Sequence, residues 1–444
     1  MGLIDRRDTP LSGQRRTVAI AGFGLEGKSI LEYLQKQGGE SDITILDQQP
    51  NPKIPVPDGV SADLRPTVFE SELNYDQVWR ASPQIAPQRL KAAGELRTLT
   101  QEFFANCPAP IIGVTGTKGK GTTSTLIAKI LEADKQTVHL VGNIGQPALS
   151  VLDKIKATDY VVFELSSFQL WDLKQSPQVA VVLMVEPEHL DVHDGLDDYI
   201  QAKCNIARWQ GPDDVVIYHS DNQLSAKIAS VGLGKKIKYL TTEGAHIRGG
   251  EILINEQNIC SVEAVALPGK HNLENICAAV TAAWQYTQNT QAIKQVVTSF
   301  KGLPHRLQLV SVKNGVEYVD DSFGTTPQTA IAAIESYSEP KILILGGSDK
   351  GSNFEELAAA VKSGGVKKVL LIGQMAQSIR ATLDKIGYKQ YVKASGSMSD
   401  IVKQAASMAV KGDVVLLSPA CASFDMFKNY VDRADQFVAA VRDL

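Results

Sequence analysis

Short apolar runs alternate with longer amphipathic stretches along most of this chain. Residues 17–21 (TVAIA) and 42–46 each predict a buried β-strand, and residues 28–37 between them predict a helix. Strand, helix and strand in this order form a βαβ unit, whose two strands lie parallel. A proline-rich connection over residues 50–57 and a short α/β segment that ends near residues 97–106 complete a first block.

Two further blocks repeat this alternation. The second block has predicted strands at residues 111–114, 137–141, 160–164, 179–185 and 215–219. Hairpins within residues 248–261 and an alanine-rich helix within 268–288 follow. The third block has predicted strands at residues 316–319, 341–345, 369–372 and 414–417. Strands that alternate with helices are typical of parallel sheets, and the 444-residue length suits three domains, so we expect a three-domain α/β protein.

The composition excludes several classes of protein. The 45 Lys and Arg residues nearly balance 49 Asp and Glu residues, and the formal charge of −4 argues against a general phosphate-backbone binder. No run of about 18 apolar residues exists, and residues 1–16 lack the apolar core of a secretory signal. We therefore expect a cytoplasmic protein without a nucleic-acid partner or a membrane span.

The five cysteines are scattered, and none forms a C-x-x-C pair; they stand at positions 107, 204, 260, 277 and 421. This usage fits reduced thiols in an intracellular enzyme and argues against a disulfide framework or a zinc site. No base is assigned to Cys421, so we interpret it as a packing residue and not as a nucleophile.

A glycine-rich turn follows the first predicted strand. Gly22, Gly24 and Gly27 have the G-x-G-x-x-G spacing of a dinucleotide fingerprint, and Asp47 follows at the end of the second strand. Such a turn lets a diphosphate approach a helix N-terminus, and the Asp47 carboxylate suits a ribose hydroxyl or a base edge. The motif fits a nicotinamide dinucleotide, another diphosphate-bearing ligand, or a tight turn without a ligand.

A second glycine-rich loop, residues 113–123 (GVTGTKGKGTT), lies between an apolar strand and a helix. It resembles a phosphate-binding loop, although Val114 stands where the common G-x-x-x-x-G-K spacing has glycine. Backbone N–H groups of the loop can surround phosphate oxygens, and Lys120 adds a positive charge. The hydroxyl of Thr122 or Thr123 can reach Mg²⁺. We favour this interpretation over a glycine-rich turn with chance lysines.

Acidic and histidine side chains follow two later strands. Glu164 ends an apolar strand, where it is either a candidate Mg²⁺ ligand or an edge-strand residue beside a polar turn. Residues 186–194 (EPEHLDVHD), with Lys203 beyond them, form either a metal shell or a charged surface loop. Zinc is disfavoured because no cysteine cluster joins them, and we interpret His193 as a solvated side chain.

Polar residues of the last predicted elements are candidates for nucleotide binding. Asn272 and Asn275 share a helix face, where their amide groups can bind a base or a phosphate. Alternatively, Asn272 caps the helix. Arg306 can touch a transferring phosphate and Asp321 a ribose, or each belongs to a surface ion pair. Residues 418–425 (SPACASFD) follow a strand, at the edge where open α/β sheets bind ligands.

Taken in order, these motifs resemble those of the ATP-dependent Mur ligases over nearly the whole chain. The most specific are TGTKGKGTT (115–123), GNIG (142–145), ELSSFQL (164–170), HNLEN (271–275), GLPHR (302–306) and SPACASFD (418–425). The resemblance implies a Rossmann-like UDP-substrate domain over residues 1–100 and a central P-loop ATPase-type parallel-sheet domain over residues 101–302. It implies a Rossmann-like amino-acid-binding domain over residues 303–444.

The resemblance also implies the residues that bind ATP and metal. The ATP-binding residues would be Gly116, Thr117, Lys118, Gly119, Lys120, Gly121, Thr122, Asn272, Asn275, Arg306 and Asp321. Two Mg²⁺ ions would be held by Thr122, Glu164, His189 and Lys203. Lys203 matches a family lysine that is carbamylated, which turns an amine into a metal-binding carboxylate. Lys120, Lys203 and His189 would be the catalytic residues.

The same resemblance implies two substrate sites. The UDP substrate would contact Gly24, Leu25, Glu26, Asp47, Ser82 and Asn143, and glutamate would contact Thr325, Lys350, Ser423 and Tyr430. The implied reaction phosphorylates the terminal carboxylate of UDP-N-acetylmuramoyl-L-alanine and then joins glutamate, with D-glutamate expected, through an acyl phosphate. We expect a monomer of peptidoglycan biosynthesis whose partners are small molecules.

Four residues depart from the family pattern. Gly121 replaces a Ser or Thr after the loop lysine, as in folylpolyglutamate synthases, and assigns the Mg²⁺ hydroxyl to Thr122. Gln84 replaces a glycine, and Glu26 replaces a small polar residue. Phe323 stands where glutamate ligases of the family have Lys. A sister branch that adds L-glutamate is similar in its D-D-S-x-x-T-T-P run, so that branch remains an alternative.

Three rival classes explain less of the sequence. A nicotinamide dehydrogenase would use the first glycine-rich turn but leaves residues 115–123 unexplained. A non-catalytic ATP-dependent switch leaves the acceptor-side groups unexplained. A folylpolyglutamate-synthase-like ligase explains Gly121, but neither the UDP-type first domain nor the SPACAS run.

Overall fold

The computed structural model describes residues 15–38, 41–50, 54–82, 85–143, 146–190, 192–267, 269–348 and 352–444. The chain divides into two compact units, Met1–Phe300 and Lys301–Leu444. No helix in these described ranges is long and apolar enough to cross a membrane. Each unit is built around parallel strands with helices between them, as the alternating pattern predicts.

The first unit opens with a parallel sheet of strand order β3-β2-β1-β4-β5. Its elements are β1 (Arg16–Ala21), α1 (Leu25–Lys36), β2 (Ser41–Leu46), β3 (Ser61–Asp63), β4 (Gln77–Arg80), β5 (Glu95–Thr98) and α2 (Leu99–Asn106). The predicted βαβ unit is confirmed, because β1 pairs parallel with β2. A capping box between Thr98 and Gln101 begins α2.

A second parallel sheet of the same unit has the order β11-β10-β9-β6-β8-β7. Its elements are β6 (Ile111–Thr115), α3 (Lys120–Ala133), β7 (Val138–Gly142), β8 (Tyr160–Glu164), α4 (Ser167–Leu170), β9 (Val179–Val182), α5 (Gly195–Arg208), β10 (Val215–His219), α6 (Gln223–Ala229) and β11 (Lys235–Tyr239). β6 is central and fully buried, so the loop that leaves its carboxyl end has a rigid base.

The remainder of the first unit is an antiparallel sheet and two helices: β12 (His246–Arg248), β13 (Glu251–Ile254), β14 (Gln257–Ser261), α7 (Lys270–Ala283) and α8 (Thr290–Ser299). The predicted hairpins within residues 248–261 are therefore present as a separate small sheet. α7 packs against α3, which brings the two asparagines of its first turns to the helix that follows β6.

The second unit has one sheet of order β15-β16-β20-β17-β18-β19. Its elements are β15 (Gln308–Lys313), β16 (Val316–Asp320), α9 (Pro327–Glu335), β17 (Lys341–Gly346), α10 (Glu355–Ser363), β18 (Val366–Ile372), α11 (Ala376–Lys385), β19 (Tyr391–Lys393), α12 (Met398–Met408), β20 (Val414–Leu417) and α13 (Tyr430–Arg442). All pairings are parallel except that of β15 with β16.

Candidate active site

The loop between β6 and α3 has the geometry of a phosphate-binding loop. Gly116 and Gly119 have φ angles of 154° and 84°, which side chains rarely permit. A Cβ atom on Gly119 would lie 2.2 Å from Asn275 Oδ1. No side chain caps the N-terminus of α3 at Gly119, so its first backbone N–H groups remain available for an anion. The loop therefore fits the phosphates of a nucleotide.

Lys120 folds back onto this loop. Its Nζ atom donates hydrogen bonds to the carbonyl oxygens of Gly116, at 3.0 Å, and Thr117, at 2.8 Å. The Thr117 hydroxyl accepts from the backbone N–H of Glu186 and lies 3.0 Å from the Tyr199 hydroxyl. Lys118 is paired at 3.8 Å with the carboxylate of Glu186. These contacts hold the predicted ATP residues of the loop as one cluster.

The two asparagines of α7 lie beside the same loop. Thr123 Oγ1 donates to Asn275 Oδ1 at 3.5 Å, and Asn275 Nδ2 donates to Asn272 Oδ1 at 3.3 Å. Gly269 is the N-cap of α7, and no side chain caps that end. The interpretation of Asn272 as a helix cap is therefore wrong, because the helix begins one residue after Gly269 and Asn272 lies within its first turn.

Lys203 reaches the loop from α5 and is almost fully buried, with 1 % of its surface exposed. Its Nζ atom donates to Thr115 Oγ1 at 3.2 Å and to the Gly116 carbonyl at 3.0 Å. Burial, and then the charge of Lys120, hold the pKa of Lys203 well below its usual range. Burial therefore makes the neutral, nucleophilic form of the Lys203 amine easier to reach than in an exposed lysine.

Glu164 ends β8 at the carboxyl edge, where its backbone pairs in register with Val114 of β6. Its side chain is buried, and Oε1 accepts a hydrogen bond from Asn143 Nδ2 at 3.2 Å. The predicted metal ligand Glu164 and the predicted substrate residue Asn143 are thus in contact. Within the described ranges, no group of three or more His, Cys, Asp and Glu side chains is arranged to hold a metal ion.

The two histidines of the loop before α5 lie in different environments. The side chain of His189 is 46 % exposed, and its Nε2 atom lies 3.7 Å from Glu188 Oε2. His193 is buried, so its interpretation as a solvated side chain is wrong. Its Nδ1 lies 2.9 Å from Asp198 Oδ2 and its Nε2 lies 3.0 Å from Ser167 Oγ. Apolar burial of an imidazole with both nitrogens satisfied makes His193 a structural residue of this loop.

Tyr199 is a residue of this site that sequence reasoning missed. It is fully buried, and Lys203 Nζ lies 4.8 Å from the centre of its ring. The signal was present in the sequence, because residues four apart on a helix share one face and Lys203 follows Tyr199 by four positions. The tyrosine hydroxyl and the lysine amine therefore approach the β6 loop together.

The carboxylate of Asp47 stabilises the first glycine-rich turn. Asp47 Oδ2 accepts from the Phe23 N–H at 2.8 Å, and Asp47 Oδ1 accepts from the Gln49 N–H at 2.9 Å. A Cβ atom on Gly22 would lie 2.7 Å from the Cβ atom of Ser82, so the turn and the predicted substrate residue Ser82 are in close contact. The following residues of the turn, Gly24 and Leu25, are exposed, and Gln84 lies outside the described residues.

Glu26 and Gln169 connect this turn to the second sheet. Gln169 Nε2 donates to Glu26 Oε1 at 3.1 Å, while the Gln169 side chain also completes the capping box of α4 with Ser166. Burial raises the pKa of the Glu26 carboxyl above its usual value, and the Gln169 hydrogen bond opposes this effect. Glu26, which departs from the family pattern, is therefore hydrogen-bonded directly to a residue of the ELSSFQL motif.

In the second unit, Asp321 is buried at the end of β16. Ser418 Oγ donates to its Oδ2 at 2.6 Å, and the Leu307 N–H donates to its Oδ1 at 3.2 Å. Burial raises the pKa of Asp321 to about 7. Asp321 is therefore not part of a surface ion pair. The neighbouring Asp320 pairs instead with His305 Nδ1 at 2.8 Å.

Phe323 lies beside Tyr430, one of the residues predicted to contact glutamate, and beside Arg306. Its ring is 42 % exposed and meets the Tyr430 ring edge-on, with centres 5.3 Å apart. The Arg306 guanidinium lies 5.9 Å from the centre of the same ring. Ser423 is buried and Thr325 is half-buried, while Lys350 lies outside the described residues. Cys421 is buried in the core, in agreement with its interpretation as a packing residue.

Comparisons with known proteins agree over almost the whole chain. Residues 114–283 match the Mur ligase middle domain, and residues 305–421 match the family described as Mur ligase, glutamate ligase domain. The UDP-N-acetylmuramoylalanine–D-glutamate ligase of Clostridium tetani is 34 % identical over 448 residues, with 97 % of each chain covered. The enzyme of the same name from Acetivibrio thermocellus is 36 % identical over 457 residues, again with 97 % of each chain covered.

A solved structure has a similar fold. MurF ligase from Thermotoga maritima, in complex with ADP, superposes with a TM-score of 0.55 at 17 % identity, and 97 % of each chain is covered. That identity is low, so this likeness concerns the fold alone, whereas the relatives above 30 % identity establish descent. This chain therefore belongs to the Mur ligase family.

Proposed function

We propose that this protein is an ATP-dependent ligase that adds D-glutamate to UDP-N-acetylmuramoyl-L-alanine in peptidoglycan synthesis. The names of relatives that align over 97 % of both chains favour this reaction and this stereoisomer. The observation that carries the proposal is the β6 loop, where Lys120 and Lys203 both donate to the Gly116 carbonyl beside an uncapped helix N-terminus. That arrangement suits a nucleotide triphosphate.

ATP binding is assigned to this loop and to Asn272 and Asn275. Lys120 neutralises charge on the phosphates, and the loop N–H groups orient them. The hydroxyl of Thr122, in the first turn of α3, and the carboxylate of Glu164 are hard oxygen donors of the kind that Mg²⁺ prefers. When bound, Mg²⁺ supplies charge neutralisation on the transferring phosphoryl group.

The proposed reaction has two steps. A carboxylate oxygen of UDP-N-acetylmuramoyl-L-alanine attacks the γ-phosphorus of ATP, the bond to the β-phosphate oxygen breaks, and ADP leaves. The glutamate ammonium first loses one proton, the neutral amine attacks the carbonyl carbon of the acyl phosphate, and the attacking nitrogen then releases a second proton to solvent. The carbon–oxygen bond then breaks and inorganic phosphate leaves, so that an amide remains. Exclusion of water protects the acyl phosphate from hydrolysis.

Lys203 is proposed to carry a carbamate. Its neutral amine attacks CO₂, a nitrogen–carbon bond forms, and one proton is released, which leaves a carboxylate on the former amine. The buried position beside Thr115 and the lowered pKa support this modification. The product would join Glu164 and Thr122 as an oxygen donor, with His189 proposed as a further ligand on the loop before α5.

The substrate sites are assigned to separate parts of the chain. The UDP moiety is proposed to bind at the turn held by Asp47, and the muramoyl-alanine end near Asn143. Glutamate is proposed to bind in the second unit among Thr325, Lys350, Ser423 and Tyr430, beside the ATP-side residues Arg306 and Asp321. We propose that the enzyme acts as a monomer.

Steady-state phosphate release tests the proposal. We expect release from ATP only when UDP-N-acetylmuramoyl-L-alanine and glutamate are both present. Lys120→Ala should lower the rate at least about a hundredfold, because the charge on the phosphates is lost. An unchanged rate in that variant would refute the role of the β6 loop, and no glutamate-dependent release in the wild type would refute the function.

A further inference from the structure

Arg433 is a fully buried cation in the first turns of α13. None of its surface is exposed, and it is among the largest completely buried side chains of the described residues. Buried guanidinium groups are ordinarily paired with a carboxylate, because an unpaired charge in an apolar interior is costly. In the described part of the chain, Arg433 forms no ion pair, so its retention in this position needs another reason.

The guanidinium binds two loops at once. Its Nε donates to Ser322 Oγ at 2.9 Å and its Nη2 to the Ser322 carbonyl at 2.8 Å, while Nη1 donates to the Cys421 carbonyl at 3.2 Å. Ser322 Oγ in turn donates to the Tyr430 carbonyl at 2.8 Å. One side chain therefore fixes the loop after β16, the loop after β20 and the start of α13.

The electrostatic surroundings of Arg433 agree with this geometry. Burial lowers the pKa of Arg433 to about 10, and the electrostatic influence of Cys421, Asp425, Asp320 and Asp321 opposes that effect. The group is still charged at neutral pH, so its hydrogen bonds to the two carbonyls are charge-assisted and stronger than neutral ones. A neutral side chain of the same size would not supply these three donors.

The loops that Arg433 joins carry the proposed acceptor residues. The loop after β16 contains Phe323 and Thr325, and the loop after β20 contains Ser423. A backbone bond from the Ala420 N–H to the Gly324 carbonyl, at 3.1 Å, also connects them. Ala420 has a φ of 58°, a strained conformation that persists only where its surroundings hold it. The shape of this region therefore depends on the contact between the two loops.

We propose that Arg433 is a positioning residue that sets the geometry of the acceptor amino-acid site by locking these two loops to α13. It is fully buried and acts through Ser322 and Cys421. This inference rests on the proposed function, because it concerns the glutamate site of that reaction. Its kinetic signature is a rise in the KM for glutamate, whereas ATP binding at the β6 loop is unaffected.

The test compares Arg433→Met and Arg433→Lys in the full-length enzyme with Arg442→Met, an exposed arginine on the same helix. We expect the KM for glutamate to rise about tenfold or more in Arg433→Met, which corresponds to about 1.4 kcal/mol, with the KM for ATP within about threefold of wild type. Arg433→Lys should show a smaller rise, because it keeps the charge but loses the fork of donors. Arg442→Met should match the wild type.

A second variant separates positioning from a general loss of structure. If Arg433→Met unfolds, Arg433→Lys, which keeps a buried cation of similar length, replaces it, and its KM for glutamate should still rise while its KM for ATP stays within about threefold of wild type. Equal rises in both KM values, or an unchanged KM for glutamate in a folded Arg433→Met variant, would overturn the proposal. A wild type without glutamate-dependent turnover would instead refute the proposed function, so the two failures are distinguishable.

Discussion

The carboxyl of Asp321 makes the stability of the second unit depend on pH. Its pKa is raised from an ordinary value of 3.8 to about 7, because burial disfavours the charged form. Between about pH 4 and pH 7 the folded state therefore retains a proton that the unfolded state has lost. The contribution of Asp321 is fully present below about pH 4 and is lost as the pH rises through about 7.

Chemical denaturation of wild type and Asp321→Asn over this pH range tests this expectation. We predict that, as the pH rises from about 4 to about 7, the free energy of unfolding of the wild type falls by roughly a few kcal/mol more than that of Asp321→Asn. Asp435→Asn, which changes an exposed carboxyl, is the matched control and should follow the wild type. Parallel curves for wild type and Asp321→Asn would contradict the assignment.

Lys203 is the residue whose chemical state most affects the proposed metal site. With ¹³C-bicarbonate we expect a carbamate resonance in the ¹³C NMR spectrum of the wild type that is missing from Lys203→Ala. That variant should also lose turnover, with partial recovery when short carboxylic acids are added. Lys227→Ala is the control, since this partly exposed lysine pairs with Asp197 away from the β6 loop. Identical spectra for wild type and Lys203→Ala would exclude carbamylation.

At the scale of elements, a glycine substitution in the β6 loop tests whether the backbone conformation of that loop is needed for nucleotide binding. Gly119→Ala places a Cβ against Asn275 at a φ of 84°, so we expect loss of ADP affinity by at least about tenfold. Gly59→Ala is the matched control, because Gly59 has a similar φ of 82° with nothing within 4 Å of its Cβ position.

Calorimetric titration with ADP compares the two glycine variants. Both should lose about 1 kcal/mol of stability from backbone strain, because both residues have left-handed conformations, and Gly119→Ala should lose more because its methyl group meets Asn275. Only Gly119→Ala should lose ADP affinity, since only there does the added methyl meet a residue of the proposed site. Equal ADP affinity in both variants would show that this turn does not contact the nucleotide.

Elements with strong patterns were predictable from the sequence. The apolar strands β6, β8 and β20 are buried, and their short continuous runs are typical of parallel sheets. β15 was missed because it is a half-exposed edge strand with weak alternation, although Asn314-Gly315 is a recognised hairpin signal. Edge strands carry less of the apolar pattern, since one of their sides faces solvent.

The site was predictable only where local spacing determines geometry. The spacing of Asn272 and Asn275 placed them on one face, but only the packing of α7 on α3 shows that this face meets the β6 loop. The burial of His193 depends on Phe168, whose ring stacks on it at 5.2 Å, and on a contact with Ser167 from α4. Such partners are distant in sequence, so a reading of the local residues identifies a charged loop and misses the buried histidine.

At the scale of the whole molecule, the near-neutral charge agrees with the chemistry proposed. The formal charge is −4, yet the proposed ligands are polyanions. In the described residues, the cation Lys120 lies on the loop where phosphate is expected, and Lys118 of the same loop is paired with Glu186. A few placed groups at a helix N-terminus can bind a phosphate without a basic surface.

The central claim is that the amino acid added is D-glutamate. Phe323 stands where glutamate ligases of the family have a lysine, so this claim is the one most worth testing. The direct measurement is mass spectrometry of the product formed from UDP-N-acetylmuramoyl-L-alanine, ATP and Mg²⁺ with either D-glutamate or L-glutamate. We predict one glutamate added with the D isomer and a much slower reaction with the L isomer. Product with L-glutamate alone would assign the chain to the sister activity, and no product with either isomer would contradict the account.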